Sequence, residues 1–355
     1  MSRARPVRIG VLGCGAIACW AHLRILRHLR GATLVAAADP NASARERARQ
    51  LVSIPVHERS EDVLGRDDLD AVVIGASTHL HAELAVAACA ARKHFYLEKP
   101  IAASAADARR VVAAAQQAGV TAMMGFNWRF HPLHEQARAL IVGDRIGKVR
   151  AVQTMFCEPS PPSAIPEWKR RRSTGGGVLL DLASHHVDLL RWFLDDEVRE
   201  AEARFDSEMS EHDTAWVRLA MRKGTEIQSV FSFRAGLADC LEFIGERGTL
   251  RVDRHRSALV LRVGRRLGYG VRTGWLVPRS AVIAWRLRRL IHPSSQPSYR
   301  RALAAFIETL RGRPRRLPTL LDGVRSLDAI LDAEASARNG ERMLVTPHES
   351  ECVCS

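Results

Sequence analysis

The sequence predicts an α/β Rossmann domain, a doubly wound parallel sheet, followed by an α+β domain with an open, mainly antiparallel sheet. Three observations carry this. Strand-like and helix-like runs alternate through the first third of the chain. A glycine-rich turn joins the first strand to the first helix. Beyond residue 198, strand-like runs follow one another across short turns. A length of 355 residues suits two domains. The expected division is 1–125, 126–345 and a short tail, 346–355.

Residues 7–12 (VRIGVL) read as the first strand, and 16–30 carry helical spacing through Ile17, Trp20, Ala21, Leu23, Ile25, Leu26 and Leu29. A strand at 33–38, a helix at 43–51 and a short strand near Val56 follow. Strands at 70–76, 93–97 and 119–125 alternate with helices at 80–91 and 104–118. Right-handed crossovers then bring the strand C-termini to one edge, where ligands bind. In the second half a helix at 178–195 precedes strands at 198–206, 214–221, 225–233, 239–244, 248–253 and 258–263. Lys223-Gly224 and Arg247-Gly248 mark turns between them. Helices near 298–311 and 322–338 close the chain.

Composition narrows the class. At 46% hydrophobic and 26% charged, the chain is neither disordered nor membrane-spanning. The basic start runs straight into a strand and a glycine turn, so it reads as fold rather than signal peptide, and the expected location is cytoplasmic. Seven cysteines without export read as reduced thiols, and Cys352-x-Cys354 as a frayed end rather than a metal site. The net charge of +14 favours anionic partners without choosing among them.

Gly13-Cys14-Gly15-Ala16-Ile17-Ala18 follows a strand and opens a helix, as a dinucleotide fingerprint requires. Gly13 permits the tight turn, Gly15 admits a pyrophosphate to the backbone, and small Ala18 lets helix pack on strand. The helix N-terminus attracts the phosphates around Ala16 and Ile17. Asp39, at the end of the second strand, suits the adenosine ribose hydroxyls and repels a 2′-phosphate, which favours NAD over NADP. Arg45 and Arg47 lie close enough to offset it.

Glu98-Lys99-Pro100 follows the fifth strand at the ligand edge. A half-buried lysine beside a positively charged nicotinamide has a lowered pKa and suits proton transfer, with Glu98 to orient it. Asp181, His185 and Asp188 stand at i, i+4 and i+7 of an otherwise apolar helix and are expected on one face. A histidine there can exchange a hydroxyl proton while a carboxylate fixes its tautomer. No third ligand accompanies Asp181 and His185, so no metal is expected.

These features, in this order, resemble the Gfo/Idh/MocA family of oxidoreductases. The resemblance runs through VRIGVLGCGAIA, Asp39-Pro40, ASTHLHAELAVAA at 76–88, YLEKPIA at 96–102, MGFNWRFHP at 124–132, GGGVLLDLASHHVDLLRWFL at 175–194 and the ending DGVRSLDAILDAEASARNGERMLV. It implies that Lys99 lies near nicotinamide and substrate, that Asp181 and His185 fill the D-x-x-x-H positions with His185 as proton shuttle, and that Asn127 and Arg129 line the cleft. It also implies that Ser77 and His81 lie near the cofactor. His186 makes an unusual double histidine, and Ser77-Thr78 replaces a more usual Thr-Pro.

The expected activity is NAD(P)-dependent hydride transfer at a secondary alcohol or ketone of a sugar, nucleotide-sugar or cyclitol. Lys99, Asp181 and His185 are the expected catalytic residues; Arg129 and Trp168, with Lys169 and Arg170, are expected at the substrate. The alternatives are internal redox catalysis with tightly held NAD, and a non-catalytic cofactor-binding regulator. A homo-oligomer, dimer or tetramer, is expected, and no nucleic-acid partner. Residues 262–301 are rich in arginine and lack acidic residues. The amphipathic pattern at 281–292 suits packing or a nucleotide diphosphate more than an anionic membrane surface.

Overall fold

In a computed structural model, which describes residues 5–161, 163, 165–256, 258–263 and 297–345, six apolar runs pair as one parallel sheet. They are β1 (Val7–Leu12), β2 (Ala32–Ala38), β3 (Val56–His57), β4 (Ala71–Ile74), β5 (His94–Leu97) and β6 (Ala122–Met124). The order is β3-β2-β1-β4-β5-β6, every pair parallel. All four residues of β4 are buried, as expected of a strand covered on both faces. The order reverses between β1 and β4, the switch point where α/β sheets bind ligands.

Local signals end the elements. Asn41 accepts the Ser43 and Ala44 N–H groups to start the Ala42–Arg49 helix. Ser104 caps Ala105–Ala118, and Gly119 at φ +63° stops it. The helix expected at 16–30 departs from expectation. It contains a π-helical turn, Ala18–His22, and ends at Leu26. The Leu23 N–H reaches back to the Ala18 carbonyl, so the inward face shifts. His22 becomes fully buried and Trp20, expected inside, is exposed.

Pro297–Leu310 belongs to this unit, with Leu303, Phe306 and Ile307 in one core with Ile9, Val11 and Leu26. Among the described residues the first unit takes 5–138, 166–176 and 297–324, and the second the remainder. The units therefore interleave along the chain, where sequence suggests one boundary after residue 125.

The second unit is built on eight strands: β7 (Val149–Cys157), β8 (Val198–Asp206), β9 (Thr214–Met221), β10 (Glu226–Ser232), β11 (Ala238–Gly245), β12 (Gly248–Asp253), β13 (Ala258–Val263) and β14 (Met343–Leu344). Their order is β13-β12-β11-β7-β10-β9-β8-β14, antiparallel except for β7 with β10. Sequence reading misses β7, a central strand. Its inward positions include polar Thr154 and its outward ones apolar Met155, which blurs the alternation. One face carries the Ser184–Leu194 helix, where Phe193 meets Phe243 edge-on at 5.0 Å. The other face exposes Met155 and Trp216 over a groove of about 590 Å³.

Of the basic insert 262–301, residues 264–296, with the amphipathic stretch at 281–292, lie outside the described residues, as do Cys352 and Cys354. Among the described residues no helix is long and apolar enough to cross a membrane.

Candidate active site

In the first unit the candidate residues gather at the C-terminal edge of the parallel sheet, because each follows a strand. Gly13 leaves β1 at φ +92°, and a Cβ there would stand 2.6 Å from the Ala76 nitrogen. Only glycine fits so close an approach. A Cβ on Gly15, by contrast, would meet nothing within 4 Å. The backbone is open there, at the start of a helix whose first residues, Ala16 and Ile17, stay accessible. That opening fits a dinucleotide pyrophosphate.

Asp39, just past β2, is fixed by two amides: the Cys14 N–H at 2.7 Å and the Asn41 N–H at 2.8 Å. Each carboxylate oxygen keeps lone pairs for further donors, as ribose hydroxyls require. Arg45 spends its guanidinium on the Asp39 and Pro40 carbonyls and on Glu58 at 3.1 Å. Arg47 donates to Ser43 Oγ at 3.2 Å. Burial, with Asp39 beside it, pushes the Cys14 thiol up to about 12, so it is inert.

The Glu98-Lys99-Pro100 turn is gripped from two sides. Glu98, 4% exposed, does not point outward; its Oε1 lies 2.9 Å from His22 Nε2. His81 stands between two carbonyls, Pro100 O at 2.7 Å from Nδ1 and Ala76 O at 3.1 Å from Nε2. Burial lowers the His81 pKa against the pull of those carbonyls and of Glu98, so the ring is neutral at pH 7. The ring lies between Ala76, next to Ser77, and the lysine turn, and when neutral it donates its single N–H to one of the two carbonyls. Lys99 itself is half-buried. Gly125 lets β6 end against this turn, since a Cβ would lie 2.9 Å from Glu98 Cα. His22 escapes sequence reading because its place depends on the π-helical turn and its partner is 76 residues away. The available signal is a histidine within the apolar run 17–23.

Asn127 is fully buried and donates from Nδ2 to Ser298 Oγ at 3.0 Å. Arg129 is held by Asp322 at 3.0 Å, and Asp322 also caps the Leu320–Asn339 helix through Thr319. Trp168 is half-buried, with Lys169 Nζ 5.5 Å from its ring centroid. It belongs to a loop, 166–176, closed by Thr174 Oγ1 donating to the Trp168 and Arg171 carbonyls.

In the second unit Asp181 and His185 stand on one helical run that begins with a π-helical turn, Leu179–Ala183. Asp181 is half-buried; His185 is 6% exposed with its ring 6.5 Å from that of Phe156. The surroundings of the third residue of the expected stripe, Asp188, are polar. Asp188 is buried, 3.9 Å from Arg191, which also binds Glu197 at 2.6 Å and Ser326 at 3.1 Å. It is part of a buried ion network. His186 is fully buried, stacked on Phe156 at 5.5 Å, edge-on to Phe231 and 3.5 Å from Asp239. Of the two neighbouring histidines, His186 is committed to the core.

Asp213 is a further residue that sequence reading passes over. Its Oδ2 accepts the N–H groups of Glu208, Met209 and Ser210, and Arg234 Nε lies 2.8 Å from Oδ1. Burial alone would raise its pKa, but these amides and Arg234 together hold it below the usual value. The loop so knotted presents the His212 carbonyl to the Val178 N–H at 3.0 Å, anchoring the start of the Asp181–His185 run. Among the described residues no group of three or more His, Cys, Asp or Glu gathers as a metal would need.

Comparison with known proteins agrees with the fold. Residues 7–126 match the oxidoreductase family with an NAD-binding Rossmann fold, GFO_IDH_MocA. Residues 134–251 match the GFO/IDH/MocA C-terminal domain. The chain is 29% identical over 265 residues to the myo-inositol 2-dehydrogenase of Thermotoga maritima, covering 72% of this chain and 78% of that protein. It is 30% identical over 289 residues to the inositol 2-dehydrogenase of Klebsiella pneumoniae, covering 76% and 80%. In fold it is similar to the WlbA dehydrogenase of Bordetella pertussis, solved with NADH and UDP-GlcNAcA. The TM-score is 0.82 at 23% identity, over 97% of this chain and 99% of that one. The chain is an oxidoreductase of the GFO/IDH/MocA family and carries its NAD-binding Rossmann domain.

Proposed function

We propose that this chain interconverts a secondary alcohol and ketone on a sugar, cyclitol or nucleotide-sugar, with Lys99 and His185 handling the proton. NAD, when bound, accepts or supplies the hydride. Gly15, Ala16 and Ile17 receive the pyrophosphate on backbone N–H groups, and Asp39 receives the ribose hydroxyls. Ser77, His81 and Asn127 border the cofactor; the neutral His81 ring acts by holding the turn that carries Lys99. Lys99 lowers the energy of the oxygen as it takes on negative charge. His185 takes the hydroxyl proton in oxidation and returns it in reduction, and Asp181 orients it. Arg129 and Trp168 border the substrate.

The observation that carries this reading is the double grip on the lysine turn, His22 on Glu98 and His81 on Pro100. Two buried histidines at one turn are costly unless the lysine must be held accurately.

Calorimetric titration with NADH and NADPH tests it, after the purified protein is checked for cofactor already bound. The expected result is exchangeable binding, tighter for NADH. Lys99→Ala should keep that affinity and lose about 10²- to 10⁴-fold in kcat. Turnover that survives Lys99→Ala would refute the assignment. Activity without release of stoichiometric NADH would assign the site to a closed redox cycle instead.

A further inference from the structure

One face of the eight-stranded sheet carries the Ser184–Leu194 helix. A second face turned to water should present polar residues. Its middle does not. Pairing across β12, β11, β7, β10, β9 and β8 sets Asp253, Cys240, Met155, Val230, Trp216 and Arg204 in one row. The four central residues are apolar, and Met155 is 41% and Trp216 49% exposed. The next row on this face is Arg251, Glu242, Gln153, Gln228, Arg218 and Glu202. Its signs run plus, minus, neutral, neutral, plus, minus. An exposed apolar strip rimmed by charge marks a surface that meets another protein.

The order of the signs decides which protein. A row that reverses sign about its own centre fits a copy of itself. We infer that a second copy of this chain docks on this face, about a two-fold axis running along the strands between β7 and β10. Arg251 then faces Glu202 of the second copy, Glu242 faces Arg218, and Gln153 faces Gln228. In the apolar row Asp253 faces Arg204, Cys240 faces Trp216, and Met155 faces Val230. An axis laid along the row would instead set each charge on its like. Aligned sheets keep their strands within about 30°, which preserves this register at the centre. The charges do not have to be idle. Arg218 keeps Glu226 at 2.9 Å, Arg251 keeps Glu242 at 3.8 Å and Glu202 keeps Arg342 at 3.0 Å, yet the four row charges stay 31–44% exposed. A guanidinium has five donors and a carboxylate about four acceptor sites, so each takes a second partner. Eight strands about 4.8 Å apart and about 25 Å long offer on the order of 800 Å². A standard interface takes about that area from each partner.

Sedimentation of the full chain over a range of concentrations tests this. The expected mass is a multiple of the chain's 39.4 kDa, with the dimer as its unit. Glu242→Arg sets like charges together at both symmetry-related contacts and should weaken the dimer about tenfold or more. Arg218→Glu should do the same. Mixed in equal amounts, the two variant proteins should pair at close to the parent affinity, because each contact between them again joins opposite charges. Damage confined to one chain would not be cured by mixing. Trp216→Ala, outside the charged row, should also weaken the dimer about tenfold. Circular dichroism of each variant, matching the parent, reports that the fold is kept. A chain that stays monomeric at every concentration overturns the inference. So does an assembly of any size that Glu242→Arg and Trp216→Ala leave intact, or a mixture that recovers nothing.

Discussion

The lysine turn in the first unit and the His185 helix in the second are supported in different ways. The turn is held by buried polar atoms: Glu98 on His22 and Pro100 on His81, each at under 3 Å. His185 stands on a helix with Phe156 beside it and His186 stacked on that ring, and the polar ties of this helix, Asp188 with Arg191 and Arg191 with Glu197, lie further along it. A polar grip is directional, and losing one partner strands the other in a dry interior. Ring contacts, such as those of Phe156 with His185 and His186, weaken by degrees. Damage to the supports should therefore be steep in the first region and graded in the second.

The largest effect should come from the polar grip. His22→Ala leaves Glu98 buried without its partner and should cost about 3–5 kcal/mol of stability. His22→Gln, which still reaches Glu98 with a donor, should recover much of that. Chemical denaturation of the three proteins measures it. If alanine costs no more than about 1 kcal/mol, the turn is not held as described. Next comes the paired contrast within the helix. His185→Asn should lower kcat about 10²-fold with the melting temperature kept. His186→Asn should do the reverse, losing about 2 kcal/mol of stability while kcat per folded molecule stays. An exchange of these phenotypes would make His186 the proton carrier. Smaller again is Asp39→Ala, expected to weaken NADH about tenfold and NADPH less. Equal losses would remove Asp39 from the choice between them.

How much of this was legible follows the same division. Gly13, Gly15 and Asp39 were readable because a glycine turn and a strand end are local events. The parallel strands were readable as continuous apolar runs. Helix faces were not, wherever a π-helical turn intervened. That one distortion buries His22 in place of Trp20, and another lies at Leu179–Ala183, the turn that carries Asp181. β7 was hidden because Thr154 and Met155 invert its pattern. Partners far apart in sequence, such as His22 with Glu98 or Arg234 with Asp213, leave no local signal at all.

The smallest predicted effect tests whether the second region lacks a polar grip or merely keeps it further from the reacting group. Asp213 knots the loop whose His212 carbonyl holds Val178, at the root of the helix that carries Asp181 and His185. Its carboxyl titrates below the usual value in the fold, so the unfolded chain takes up that proton more readily. The resulting stability is complete above the unfolded value of about 3.9 and is lost as pH falls through the folded one. Asp213→Asn should therefore be about 1 kcal/mol less stable at pH 7, and the gap to the parent should close in acid. It should also change kcat less than His185→Asn, because three backbone amides still find one acceptor oxygen. A gap that stays constant down to pH 2 would mean that shape, not charge, holds the loop. The helix would then be seated by packing along its whole length, and the contrast with the lysine turn would be sharper still.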